Sequence, residues 1–107
     1  GYTCYTALLT QIGVSAPVDT ILKNDTGATF VWSYVAKGKY EITASSSIFT
    51  ANKTIVFINY GSPSSDALSP KWTRVSDTVI SIKTQDETAV DDDDILTNAA
   101  FEIRIYS

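Results

Sequence analysis

No histidine occurs in this sequence. Without imidazole there is no Ser-His-Asp or Cys-His catalysis, no imidazole-bound metal and no general base of the usual kind near neutral pH. The single cysteine, Cys4, closes no intrachain disulfide and builds no structural zinc site by itself; the expected role is a small buried hydrophobe in the first strand. Methionine is also missing, so Gly1 is expected to follow processing or truncation of a longer chain. No apolar run approaches the roughly 18 residues of a membrane span, and no secretory leader is visible. Basic residues are outnumbered, eight against twelve acids, for a net charge of −4. That balance argues against nucleic acid, which demands a basic stripe to displace counterions, and against an anionic membrane surface.

What remains is an ordinary globular composition in 107 residues, 44% of them hydrophobic, enough for one domain with its own core spanning 1–107. Short β-branched and aromatic runs are separated by turn signals. Strands are expected at Tyr2 to Ile12, Asp19 to Lys23, Ala28 to Ala36, Tyr40 to Ala44, Lys53 to Tyr60, Lys71 to Val75, Thr78 to Gln85 and Ala100 to Tyr106. The run Ile55-Val56-Phe57-Ile58 reads as a strand covered on both faces, and hence as the central strand of the core. In Ala28 to Ala36, Phe30, Trp32 and Tyr34 share one face. In Ala100 to Tyr106, Phe101, Ile103 and Ile105 oppose Glu102, Arg104 and Tyr106. Gly61 to Pro70 is the longest expected loop, with four Ser, two Pro and one Gly. No segment has a helical period, so at most one helical turn is expected, near Ala16 or Leu96. The pattern is that of an all-β, antiparallel, jelly-roll-like sandwich of about eight strands, with a closed barrel as the alternative.

Few residues suggest chemistry. A carboxylate pair facing across a cleft hydrolyses glycosides, yet the isolated acids Asp19, Glu41, Asp66 and Asp77 fall at or beside turns, so no catalytic group is assigned. Asp86 to Asp94 holds six acids in nine residues. Asp91, Asp93 and Asp94 offer hard oxygens to calcium, though no EF-hand glycine or terminal glutamate accompanies them; a plainly solvated acidic loop is the preferred reading. Trp72, which opens a strand after the Ser/Pro loop, is the ring expected at the surface, whereas Trp32 belongs in the core. An exposed Trp raises sugar stacking. Asn24-Asp25-Thr26 and Asn52-Lys53-Thr54 match the glycosylation acceptor pattern by residue type alone.

Four segments carry a resemblance: Tyr5-Thr6-Ala7-Leu8-Leu9-Thr10-Gln11 followed by Ala16-Pro17-Val18; Thr29-Phe30-Val31-Trp32-Ser33-Tyr34 with Gly38 and Tyr40; Phe49-Thr50-Ala51-Asn52-Lys53-Thr54; and the ending Asn98 to Tyr106. Together they resemble short, Thr-rich β proteins encoded by phages and prophages of Bacteroidetes. The resemblance implies a non-enzymatic virion component, a capsid decoration or a head- or tail-fibre module. It implies contacts with other virion proteins and self-association, trimeric by analogy to phage fibres, through the face of Tyr106 or the hairpin around Trp32. The alternative is a carbohydrate-binding sandwich of a phage or secreted surface protein, meeting a host-surface glycan through Trp72. A secreted bacterial surface domain is the third reading and would require a leader upstream of Gly1.

Overall fold

The computed structural model describes residues 1–60 and 66–107. Eight strands are present and no helix among the described residues: β1 Tyr2–Thr10, β2 Val18–Asn24, β3 Phe30–Ala36, β4 Lys39–Ala44, β5 Thr54–Asn59, β6 Leu68–Arg74, β7 Val79–Gln85 and β8 Ala99–Tyr106. They form two four-stranded antiparallel sheets, sheet A in the order β2-β1-β8-β5 and sheet B in the order β3-β4-β7-β6. The sheets pack face to face and do not close into a barrel, so the fold is an all-β sandwich. The hairpins β1–β2, β3–β4 and β6–β7 each stay within one sheet. That order differs from the expected jelly roll, in which successive strands alternate between sheets.

Alternation builds the core. Tyr5, Ala7 and Leu9 point inward from β1, and Phe101 and Ile103 from β8. From sheet B come Trp32, Tyr40, Ile42, Ile80 and Ile82, all buried. Trp32 stands edge-on to Phe101 at 5.1 Å, and Tyr5 lies 4.6 Å from Phe30. The polar tips of these rings find partners, as buried donors must: the Tyr5 hydroxyl donates to Asp19 and accepts from Trp32 Nε1 at 3.2 Å. Burial and the bond to Asp19 both raise the Tyr5 pKa, keeping the phenol neutral.

The segment expected at the centre is at an edge. Among the described residues β5 pairs with β8 alone. Val56 is buried, but Ile55 is 40% and Phe57 49% exposed. An unbroken apolar run arises when both faces are covered, and equally when an edge strand has one buried face and one apolar outer face; β5 is the second case. The central strands are β1 and β8 in sheet A and β4 and β7 in sheet B. The end of the long loop also differs from expectation, because β6 already begins at Leu68 and takes in Pro70. Proline is tolerated there because β6 is an edge and its register to β7 is irregular between Leu68 and Lys71. Residues 61–65 of that loop lie outside the described residues. Cys4 is buried and free, as expected.

Candidate functional site

Three parts of the surface hold concentrated side-chain chemistry. The first is the outer face of sheet A. Register across β1, β8 and β5 lays it out in rows: Tyr2 opposite Tyr106; Cys4, Arg104 and Ile55; Thr6, Glu102 and Phe57; Leu8, Ala100 and Asn59. A solvent-facing row is ordinarily polar, yet here Tyr2 is 46% exposed and Phe57 49%. Arg104 holds the face together. Its guanidinium lies 4.8 Å from the centroids of both the Tyr2 and Phe57 rings, and it pairs with Glu102, which also accepts from the Thr6 hydroxyl at 2.8 Å. Arg104 and Thr6 hold the Glu102 carboxyl below its usual range. An open groove of about 620 Å³ crosses this face, lined among others by Leu22, Phe57, Asn59, Trp72, Glu102 and Arg104.

Trp72 and Tyr106, both expected as contacts, are exposed by 37% and 36%. The structure does not bring them together. Trp72 lines the groove, whereas Tyr106 lies 5.1 Å from Tyr2 and lines a smaller hollow with both chain ends. Phe57 is the groove residue that sequence reasoning misses, since its apolar run reads as a strand covered on both sides. Alternation alone puts Arg104 on the right face, but its seat between two rings depends on β1 and β5 being its neighbours.

The second part is the acidic loop at one end of the sandwich, whose carboxylates are used individually. Asp93 accepts from Gly38 N–H at 2.8 Å, from the Tyr34 hydroxyl at 2.7 Å and from the Tyr40 hydroxyl at 2.7 Å. Burial pushes the Asp93 pKa up, but these donors outweigh it and the net shift is down. Asp94 accepts from Gly13 N–H at 2.6 Å, and its own N–H donates to Gln11 Oε1. Asp91 lies between Lys39 at 3.8 Å and Lys83 at 3.6 Å and accepts from Gln85 Nε2 at 3.1 Å. Asp91, Asp93 and Asp94 therefore turn to three different sets of donors. Among the described residues no three His, Cys, Asp or Glu side chains gather as a metal site. The loop is less plainly solvated than its sequence suggests: Asp91, Asp92 and Asp93 are only partly exposed, because they meet donors on β3, β4 and β7 and in the β3–β4 turn.

The third part is the outer face of sheet B, where Lys39 stands opposite Lys83 and Lys83 opposite Lys71 in one row. Like charges in register repel, and Asp91 is the anion set between the first two. Asn24, in the first glycosylation pattern, spends its amide on Ala28 O at 2.8 Å. Comparison with family models, with curated proteins and with solved structures finds no match.

Proposed function

We propose that this chain is a non-enzymatic interaction module that self-associates as part of a bacteriophage particle, a capsid decoration or a head- or tail-fibre element. The observation that carries the reading is the outer face of sheet A, where Tyr2, Ile55, Phe57 and Tyr106 stand exposed around one Arg104–Glu102 pair. A sheet facing only water favours polar outer residues, and an aromatic face fixed by a stacked arginine is the composition of a protein contact surface. The buried phenols of Tyr5 and Tyr40 are pushed up in pKa, and Asp91, Asp93, Asp94 and Glu102 are engaged by structural donors, which supports the non-enzymatic reading. The test is mass spectrometry of particles banded from a host that encodes the chain. Stoichiometric presence in the particle supports the role; absence from it overturns the role. The isolated chain should also sediment above its monomer mass.

A second reading has its own observation. Trp72 and Phe57 line a groove that also offers Asn59, Thr6, Glu102 and Arg104, pairing flat rings with hydrogen-bonding groups as a sugar site does. A glycan panel that protects Trp72 fluorescence in a monomeric protein would favour this carbohydrate-binding reading over the first.

A further inference from the structure

A sandwich has four free sheet edges, and unpaired edge groups invite another strand unless charge, proline or a bulge discourages it. Three edges here are guarded. β2 carries Asp19 and Lys23 and a register shift opposite Thr6 and Ala7. β6 carries Pro70, Lys71 and an irregular register. β5 lies beside β6, and Trp72 of β6 shares the groove lining with Phe57 to Asn59. β3 differs from all three. Among the described residues its only strand partner is β4, and from Ala28 to Ala36 it has no charge, no proline and no glycine. Its one irregularity falls between Tyr34 and Ala36, beside the hairpin turn, leaving Phe30 to Tyr34 regular.

The backbone of this edge has a defined direction. Ser45 N–H donates to Thr29 O, and Ala44 N–H to Thr78 O, both at 2.8 Å. Antiparallel alternation then sends the odd residues of β3 to β4 and leaves the N–H and C=O groups of Phe30, Trp32 and Tyr34 directed at the open edge. On the outer face the odd residues Val31 and Val35 are 68% and 54% exposed. The apolar character continues onto the neighbouring strand of the other sheet. The Tyr5 hydroxyl touches both Asp19 of β2 and Trp32 of β3, so these strands share a flank, and there Ile21 is 53% exposed.

We propose that β3 is a self-association surface separate from the outer face of sheet A, which is left for other particle proteins, and that it pairs antiparallel with β3 of a second copy about a two-fold axis at Ser33. The inference rests on the self-association reading and specifies its contact. In that register Trp32 faces Tyr34 of the second copy, and these even residues exchange the free backbone hydrogen bonds. Ser33 faces Ser33 of the second copy in the non-hydrogen-bonded position where side chains approach most closely, and Val31 comes opposite Val35, the residue that the β3–β4 register skips, twice. The strand is complementary to itself, with no charge to be buried in the pairing. A two-fold contact of this kind closes on itself, so it yields a dimer, or a two-fold step within a larger assembly, rather than a runaway sheet.

Sedimentation velocity at tens of micromolar, with circular dichroism to verify folding, provides the first test. Wild type is expected as a dimer, and V31K and V35E each as monomers. Their equimolar mixture should recover the dimer, since the introduced ammonium of one variant then faces the introduced carboxylate of the other. Oxidised S33C should form a disulfide-linked dimer because cross-strand partners lie within disulfide reach, while S81C, on central strand β7, should keep the non-covalent dimer and form no disulfide-linked one. Oligomers untouched by V31K and V35E would overturn the β3 contact and leave self-association standing. A wild-type monomer would overturn both. A dimer lost in the variants but without S33C cross-linking would overturn the two-fold register at Ser33.

Discussion

Gly38 is pressed against Asp92. At φ +68° it turns the β3–β4 hairpin, and a Cβ built on it would stand 2.6 Å from Asp92 N and 2.6 Å from Thr84 O. Both neighbours are backbone, and they are tied to each other: Thr84 O accepts Asp92 N–H at 3.1 Å, while Thr84 N–H donates to Gly38 O at 2.9 Å. Neither can retreat cheaply. Gly38→Ala combines an unfavourable φ with a backbone clash and should cost roughly 2–4 kcal/mol. In thermal melts Gly13→Ala, whose added Cβ meets nothing within 4 Å, should lose much less. Equal losses would refute the packing argument.

Acid should loosen this same end of the molecule. The side chain of Gln85, then Lys83 and Lys39, hold Asp91 below the ordinary carboxylate range. Asp93 is also lowered, burial being outweighed by Gly38 N–H and the Tyr34 and Tyr40 hydroxyls. A native pKa below the unfolded value means that the unfolded chain binds more protons in acid. The stability they confer is complete above the unfolded value of about 3.9 and is lost as pH falls through the lower native values. Denaturation midpoints should be level from about pH 5 to 7 and fall below about pH 4, with a shallower fall in Asp93→Asn. An identical acid slope in that variant would count against Asp93.

Salt separates Asp91 from its neighbours. Asp91→Asn leaves Lys39 directly opposite Lys83 without the anion between them. Exposed like charges repel less as salt rises. The stability gap between wild type and Asp91→Asn should therefore be largest at low ionic strength and shrink at high. A gap independent of salt would mean that the hydrogen bond donated by the Gln85 side chain, not the charge pairing with the lysines, sets the role of Asp91. A calcium-dependent melting shift lost in the variant would revive the metal reading.

The strands were legible because their signal is local. Period-two alternation places Phe101, Ile103 and Ile105 on one side of β8 and Glu102 and Arg104 on the other, and the structure keeps that assignment. Sheet position was not legible, because it depends on which strands meet. Ile55 and Ile80 illustrate this: both lie in apolar runs, yet Ile55 is 40% exposed on edge strand β5 and Ile80 is fully buried on β7. The candidate surfaces depended on the same missing knowledge. Trp72 and Tyr106 could be marked as exposed rings, but the seat of Arg104 between Tyr2 and Phe57 appears only once three strands are in register. The use of Asp93 by two tyrosines likewise joins residues more than fifty positions apart.

That difference has a direct measure. Ile80→Ala empties a site with no solvent access and should cost about 2–5 kcal/mol. Ile55→Ala, on the outer face, should cost under about 1 kcal/mol. If urea denaturation gave Ile55→Ala the larger loss, β5 would be the buried centre that its sequence suggests and the edge assignment would fail.

The two tryptophans report on core and groove separately. Trp32 is 8% exposed, with Nε1 bonded to the Tyr5 hydroxyl, while Trp72 is 37% exposed. Emission from a ring in an apolar, hydrogen-bonded setting is shifted to the blue and shielded from iodide, whereas a ring at a groove rim meets the quencher. Trp72→Phe should leave a blue-shifted, iodide-resistant signal, and Trp32→Phe should leave a quenchable one together with a marked loss of stability, since a buried indole is being replaced. The same variants separate the two functional readings. A glycan seated in the groove must shield Trp72 and change the quenching of Trp32→Phe without changing that of Trp72→Phe. Pairing through β3 lies on the opposite flank from Trp72 and should leave Trp72 quenching unchanged between monomer and dimer.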